Sequence, residues 1–468
     1  MVGREITLHK HQAAQVSEVR AALREHKSVL MQSPTGSGKT VMASSMIASS
    51  QAKGKTSLFV VPRLELVTQV SETLDWFGVP HSYIVSGKVY NPYAKTHICT
   101  MQTLARRLDC IKHDVLFTDE AHYGTGQLDK IIQRHKAQGG YTIGMSATPL
   151  RRDGRGLGCW FETMVQGASV GYLIKNGFLS DYKAYAATKP KGLDGLRIRG
   201  GEYAQEELSE LMEADKVLIG DSVTHWRRYA AGRLTVVFAV TRKHAQIVQA
   251  QFEAAGIPTG YIDGTMKQGE RRAVIMDFAN RVTPVLVSVN LLQFGFDLAT
   301  AAGMDVRVEA LVDLQPVKSL AMQMQKWGRC LRAGEPSVIL DHAGNIAEHG
   351  LPDDDREWTL ADRKKRDGGK RDEELAQTVA CGSCKSKFRR ELTHCPYCGA
   401  EKPKMDELPE QVDGELQELD KDAVRLAKKR EQGAAQSIQD LIKLGESRGY
   451  KNAAFWAAKV WTSRMAKR

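Results

Sequence analysis

Ten short apolar runs, separated by amphipathic helical stretches, occupy the first ~340 residues and leave this chain few architectures to choose from. In the first half they are Val29–Met31, Leu58–Val61, Ile98–Thr100, Val115–Thr118 and Thr142–Met145. In the second half they are Thr235–Val240, Thr259–Ile262, Val285–Val289, Ala310–Leu314 and Val338–Leu340. Continuous apolar runs rather than alternating ones are what a strand shows when both faces are buried, as in a parallel sheet covered by helices. The two series predict two α/β domains. The chain, at 468 residues, has room for about three domains of roughly 150 residues.

Composition narrows the partners. Hydrophobic residues make up 42% and charged residues 26%, which excludes a mainly disordered or collagen-like chain. Lys and Arg number 66 against 55 Asp and Glu, a net charge of +11 that suits a polyanion partner. No apolar run approaches the ~18 residues of a membrane span. The opening MVGREITLHKHQ lacks an apolar signal core, so the cytosol is the expected compartment.

Residues 33–40, SPTGSGKT, directly follow the apolar run that ends at Met31. They fit the P-loop pattern except that Ser33 replaces the first glycine. In Ser33, Pro34, Thr35, Gly36, Ser37, Gly38, Lys39 and Thr40 the chemistry is that of a phosphate cradle. Gly36 and Gly38 let backbone N–H groups approach phosphate oxygens, and a helix starting near Lys39 adds its positive end. Lys39 would neutralise the β- and γ-phosphates, and Thr40 would ligate Mg²⁺. The bland alternative is a glycine-rich turn between strand and helix. About 80 residues on, VLFTDEAH (115–122) is an apolar strand ending in two acids. Asp119 would hold Mg²⁺ through its shell and Glu120 would orient and activate the attacking water. In isolation such a pair could simply open a surface turn.

Residues 325–332 read QKWGRCLR within a stretch of helical period, Val317–Arg332. Gln325, Arg329 and Arg332 fall at i, i+4 and i+7, on one helical face. Two guanidiniums on one face suit the transition-state charge of a γ-phosphate. An exposed basic face is the alternative.

The ordered set LHKHQ (8–12), SPTGSGKT (33–40), VVPRLELVTQ (60–69), TMQTL (100–104), DEAH (119–122), SAT (146–148), FAVTRKHA (238–245), LLQFGFD (291–297) and QKWGRCLR (325–332) resembles a superfamily 2 DEAH-box helicase. Within that superfamily it is similar to the XPB-like group and its bacterial RadD helicases, through VILDHAGN (338–345) and a downstream four-cysteine module. The resemblance implies two tandem RecA-like domains, a small zinc ribbon and a helical C-terminal segment. The corresponding boundaries are an ATP-binding domain over 1–185, a connector over 186–215, a helicase C-terminal domain over 216–350, a charged linker over 351–376, the ribbon over 377–402 and the helical segment over 415–468.

The same resemblance implies roles residue by residue. Gln12 would read the adenine edge, with His11 standing where the family often has tyrosine. Pro62, Arg63, Thr100, Gln102 and Thr103 would touch the nucleic-acid backbone, and Thr241 and Arg242 would grip it from the second domain. Ser146 and Thr148 would couple hydrolysis to strand movement, and His122 would link the ATP site to motifs near the strand. Gly295 and Asp297 would meet the ribose. Gln325, Arg329 and Arg332 would complete the ATP site across a cleft. Asn290 departs from the Ser or Thr of many relatives. The implied activity is that of an ATP- and Mg²⁺-dependent DNA helicase or translocase, acting on single-stranded or junction-containing DNA alongside repair, recombination or replication proteins. An RNA helicase and a DNA-binding scaffold with a vestigial nucleotide site remain the alternatives.

Two C-x-x-C pairs, Cys381/Cys384 and Cys395/Cys398, stand ten residues apart and suit tetrahedral Zn²⁺ ligation, with an iron–sulfur cluster or a redox dithiol as alternatives. The ribbon either stabilises a segment too small to fold alone or contacts DNA or a partner through the basic KSKFRRE (385–391) between the pairs. The other cysteines, Cys99, Cys110, Cys159 and Cys330, are scattered. The charge block Pro352–Glu374 reads as a solvated linker. Residues 415–468 hold 12 Lys/Arg against 7 Asp/Glu. There Trp456 and Val460 at i, i+4 predict a small helical core more readily than a base-stacking surface.

Overall fold

The structure, a computed structural model, describes residues 7–123, 126–151, 155–186, 198–199, 202–205, 207–208, 216–292, 298–362, 378–380, 387–389, 394, 417–418, 431–447, 450 and 452–465. The chain forms two units, one of Met1–Asp362 with Leu416–Arg468 and one of Arg363–Glu415.

All ten apolar runs become strands, because each is buried on both sides. The first domain runs α1 (Lys10–Ala22), β1 (Ser28–Gln32), α2 (Lys39–Ala52), β2 (Ser57–Val61), α3 (Glu65–Trp76), β3 (Ser82–Ile84), β4 (Thr96–Thr100), α4 (Met101–Leu104), β5 (Val115–Thr118), α5 (Gly126–Lys136), β6 (Tyr141–Ser146), β7 (Thr163–Gln166) and α6 (Val170–Lys175). Its sheet has the order β3-β4-β2-β5-β6-β1-β7, every pairing parallel. Alternation explains the continuous hydrophobicity of its strands. Val29 and Met31 enter the core on one face with Phe59 and Phe117, while Leu30 enters the opposite core with Leu58, Val60 and Leu116.

The second domain holds β8 (Tyr182–Ala186), β9 (Ile198–Arg199), β10 (Glu202–Tyr203), α7 (Lys216–Tyr229), β11 (Thr235–Phe238), α8 (Arg242–Ala254), β12 (Thr259–Ile262), α9 (Gln268–Ala279), β13 (Val285–Ser288), α10 (Leu298–Ala302), β14 (Ala310–Asp313), α11 (Leu320–Cys330), β15 (Ser337–Asp341) and α12 (Asn345–His349). Its main sheet is ordered β12-β13-β11-β14-β15-β8-β18, where β18 (Gln417–Glu418) comes from the C-terminal segment and pairs antiparallel with β8. These are two tandem RecA-like domains.

Two expectations from the sequence need correcting. The boundary after residue 185 cuts through β8, which pairs in parallel with β15 and so belongs wholly to the second sheet. Within the connector, β9 and β10 form an antiparallel pair. The first twelve residues of the charged linker are also packed rather than solvated. Leu351 joins the second-domain core, Tyr182 Oη donates to Asp353 Oδ1 at 2.5 Å, and Leu360 packs against the first-domain core cluster that includes Leu157, Trp160 and Phe161. Gly158 N donates to Leu360 O and Gly156 N to Asp362 Oδ1, both at 2.9 Å. Residues 351–362 are therefore a strap running from one RecA-like domain back to the other.

In the C-terminal segment Asn452 Oδ1 accepts from Phe455 N at 3.1 Å and caps α14 (Ala453–Met465), which packs on α13 (Ile438–Ser447). Among the described residues of this segment Leu441, Gly445, Ala453 and Ala457 are buried, whereas Trp456 and Val460 are half-buried and Phe455 is exposed. In the other unit, β16 (Thr378–Ala380) pairs antiparallel with β17 (Lys387–Arg389). Cys381, Cys384, Cys395 and Cys398 lie outside the described residues, as do Gly295 and Asp297. Among the described residues no helix is long and apolar enough to cross a membrane.

Candidate nucleotide site between the two domains

The P-loop leaves the end of β1 and enters α2, whose N-cap is Gly38. Gly36 and Gly38 have φ of 83° and 85°, a region that side chains disfavour. Space enforces the same choice. A Cβ on Gly38 would lie 2.4 Å from Gln12 Nε2, and one on Gly36 would lie 2.9 Å from Leu179 Cδ2. Gln12 fixes the loop from α1, with Nε2 donating to Ser37 O at 3.0 Å and Oε1 accepting from His9 N at 3.0 Å. The ring of His11 lies 4.4 Å from that of Phe178. Ser33 is accommodated by a partner the sequence did not reveal. Its hydroxyl donates to Gln15 Oε1, and Gln15 Nε2 donates to Gln32 O at 2.8 Å. Lys39 folds back on the loop, its Nζ 3.3 Å from both Ser33 O and Pro34 O. That leaves the ammonium bonded to carbonyl oxygens that a phosphate would outbid.

Asp119 and Glu120 follow β5. Asp119 is buried, anchored by its N–H to Val60 O at 2.9 Å, and its Oδ1 accepts from Glu120 N at 2.9 Å. Burial, then the Glu120 charge, push its carboxyl up to about 7, with the Lys39 charge opposing them. A carboxylate in this state gains from a cation, which fits the donor set of Asp119 and Thr40 to Mg²⁺. Glu120 adopts φ 46°, so the acid pair occupies a bent backbone rather than an ordinary surface turn.

His122 is buried between the two domains. Its Nδ1 lies 2.9 Å from Ser146 Oγ and 3.3 Å from Glu120 Oε2, and its Nε2 lies 3.2 Å from Gln325 Nε2. The amide nitrogen can only donate, so Nε2 accepts and the ring proton sits on Nδ1, facing Ser146 and Glu120. Ser146 Oγ donates to Thr148 O at 2.7 Å and accepts from Thr148 N at 3.1 Å. Gln325 Oε1 accepts from Tyr123 Oη at 3.2 Å. One chain of hydrogen bonds thus joins the Ser146–Thr148 turn, His122 and α11 of the second domain, with Glu120 Oε2 close to the same ring nitrogen as Ser146.

α11 abuts the P-loop directly. A Cβ on Gly328 would stand 2.6 Å from Thr35 Cβ and Cγ2. Arg329, the next residue, is 9% exposed and its Nε donates to Leu292 O at 2.9 Å. Arg332 is the exception to the expected helical face. α11 ends at Cys330 with Leu331 as C-cap, and Arg332 instead forms a β-bridge with Leu179. α11 is turned by a buried ion pair, since Lys326, fully buried, pairs with Asp313 and its Nζ donates to Gln315 O at 3.0 Å.

The expected nucleic-acid residues lie at strand ends, in the loops or first helical turns that follow. Pro62 and Arg63 follow β2 and are half-buried, and Gln102, after the neighbouring β4, is exposed. Thr100 and Thr241 each cap a helix, accepting from Thr103 N at 3.3 Å and His244 N at 3.2 Å. Thr103 Oγ1 in turn accepts from Thr100 Oγ1 at 3.0 Å. Arg242 is exposed, with Nε 3.6 Å from Asp263 Oδ2. Asn290 has φ 56°, which asparagine tolerates better than serine or threonine. Sequence reasoning missed Gln15, Tyr123, Leu179 and the contact at Gly328. Only the last left a signal, a glycine inside a helix, which costs about 1 kcal/mol unless a neighbour must come close.

Comparison with known proteins agrees with this geometry. The family described as Type III restriction enzyme, res subunit matches residues 5–151, and the family described as Helicase conserved C-terminal domain matches residues 218–334. A 51.5 kDa protein of Lactococcus phage (isolate 7-9) is 27% identical over 451 residues, 93% of either chain. The protein named "Putative ATP-dependent helicase IRC3" of Saccharomyces cerevisiae is 28% identical over 318 residues, 64% of this chain and 45% of the yeast one. The solved structure of the ATP-dependent Type ISP restriction-modification enzyme LlaBIII bound to DNA shares the fold, with TM-score 0.51 and 15% identity over 73% of this chain and 28% of that chain. The two domains match these two family models in this order, facing each other across a phosphate loop, and the chain's relatives are superfamily 2 helicases.

Proposed function

We propose that the protein is a nucleic-acid-dependent ATPase that moves along or unwinds DNA, with ATP bound between its two RecA-like domains. The observation that carries this reading is the contact of α11 with the ATP wall, through Gln325 on His122 and Gly328 beside Thr35. A site whose second wall is another domain converts nucleotide occupancy into domain closure.

In this reading Lys39 leaves its loop carbonyls for phosphate oxygens. Thr40 and Asp119 hold Mg²⁺, which neutralises phosphate charge when bound. Glu120 orients the water and takes its proton, while the Nδ1 proton of His122 keeps Glu120 in place. Arg329 approaches from the second domain as charge develops on the leaving phosphate. Gln12 meets the adenine edge. Pro62, Arg63, Thr100, Gln102, Thr103, Thr241 and Arg242 hold the strand through its phosphates, so movement is largely independent of sequence. DNA is favoured over RNA by the resemblance to XPB- and RadD-like helicases, and a role in repair, recombination or replication follows from the same source.

ATPase assays with single-stranded, duplex and forked DNA and with RNA, followed by strand displacement on the best substrate, test the proposal. Stimulation by DNA and loss of turnover in Lys39→Ala and Glu120→Gln are expected. Stimulation by RNA alone would replace the substrate. Binding without turnover on every nucleic acid would leave a scaffold. Cys381, Cys384, Cys395 and Cys398 are proposed as zinc ligands on their spacing. Metal analysis should give one zinc per chain, lost in Cys381→Ser.

A further inference from the structure

The connector places a short bridge over two loops of the second domain. Glu202, in β10, accepts from two consecutive backbone amides, Oε2 from Lys318 N and Oε1 from Ser319 N, both at 2.9 Å. Ser319 is the N-cap of α11, and its own Oγ accepts from Met322 N at 3.4 Å. The start of the helix is therefore fixed twice, once by its own cap and once by a carboxylate from outside, which also suits the positive end of the helix. The next residue, Tyr203, is buried with its ring 5.2 Å from Lys318 Nζ. Two residues further, Gln205 Nε2 donates to Val240 O at 3.2 Å. Val240 precedes Thr241, the cap of α8 and one of the residues proposed to hold the strand.

Residues 202–205 thus touch both the loop after β11 and the loop after β14. These strands are paired neighbours, so the two loops leave adjacent positions on one sheet edge. Only the second loop leads into the helix bearing Gln325 and Arg329. Lys318 is held again by Glu348, at 3.0 Å, which ties the loop to α12 as well.

We propose that Glu202 is a positioning residue that couples the Thr241 loop to α11, so that a strand held at Thr241 and Arg242 sets the placement of Gln325 and Arg329 at the ATP site. The proposal rests on the function proposed above. It adds a route by which the strand acts on hydrolysis, running within the second domain rather than across the cleft. Glu202 touches neither nucleotide nor strand in this account, and its effect is transmitted through the first turn of α11.

The test compares the full-length parent with Glu202→Ala and Glu202→Gln, measuring ATP turnover with and without single-stranded oligothymidylate. Turnover without DNA and KM for ATP are expected to stay within about twofold of the parent, while DNA-stimulated kcat falls about tenfold or more in Glu202→Ala. Glu202→Gln keeps one accepting oxygen and should fall less. A merely structural role would lower both rates in proportion and lower thermal stability with them. Either that outcome or parent-like stimulation in both variants would overturn the proposal. If no nucleic acid stimulates the parent, the functional reading fails instead. The bridge is then read by amide hydrogen exchange over residues 318–325, with and without a non-hydrolysable ATP analogue. Protection gained in the parent and absent in Glu202→Ala sustains it, and equal behaviour in both refutes it.

Discussion

Gly328 sits inside α11 with the P-loop against it, and Gly328→Ala isolates that contact. The added methyl would stand 2.6 Å from Thr35 Cβ and Cγ2, where carbon atoms normally keep about 3.5–4.0 Å. The helix or the loop must give way by about 1 Å, and overpacking of this kind costs typically about 1–3 kcal/mol. Within the helix alone the substitution is favourable by about 1 kcal/mol. The two effects separate by state. The strain falls on the closed arrangement needed for hydrolysis, while the helix propensity acts wherever the second domain is folded. Turnover should therefore drop about 5- to 150-fold with thermal stability roughly kept. Steady-state ATPase and thermal denaturation on the same preparations check both halves. Thr35→Ser removes one of the two clashing carbons, so the double variant should recover part of the loss. Parent-like turnover in Gly328→Ala would refute the reasoning.

Other perturbations follow from the same structure. Lys326→Met strands Asp313 as a buried charge and should cost about 3–5 kcal/mol in denaturant unfolding, with Asp313→Asn/Lys326→Met costing less. Equal losses would deny the pair its role. Asp119, raised to about 7, holds its proton more tightly folded than unfolded, so stability is lost progressively as pH rises from the ordinary carboxyl range, about 4, to that value. Without nucleotide, the melting-temperature advantage of Asp119→Asn over the parent should grow from pH ~4 to ~7 and level off above it, while Mg²⁺-dependent nucleotide binding by the parent strengthens as pH rises through ~7. A pH-independent gap would contradict this. Gly156→Val would place Cβ 2.0 Å from Leu360 O, so the strap should detach and residues 351–362 should become the first site of limited proteolysis. Unchanged resistance would mean the strap is not held there.

Much of the fold was legible because parallel strands buried on both faces leave uninterrupted apolar runs, and every such run became a strand. The strands that were missed lie at or near sheet edges. β3 and β7 are short edge strands with mixed sequences, and β8, YKAYA, alternates in a way that fits either sheet. Nothing local told β8 that its partner would be Ser337–Asp341. The first wall of the ATP site was legible because phosphate chemistry demands particular residues in immediate succession. The cross-domain contacts were less so, since they join residues about 200 apart in sequence, as Tyr123 and Gln325 do. The charged strap was misread because Asp353 and Asp362 looked like solvated carboxylates, whereas each accepts from a specific donor. Helical period carried Arg332 into α11, but the chain turns away after Cys330 to meet Leu179.

The central claim is that one nucleotide is shared by two domains, with Lys39 on one wall and Arg329 on the other. Measuring ATP affinity and ATP turnover side by side in Lys39→Ala and Arg329→Ala, with DNA present, tests it most directly. The account predicts that Lys39→Ala loses both, and that Arg329→Ala still binds ATP while turnover falls by at least about 100-fold. Arg329→Ala turning over ATP at the parent rate would contradict it.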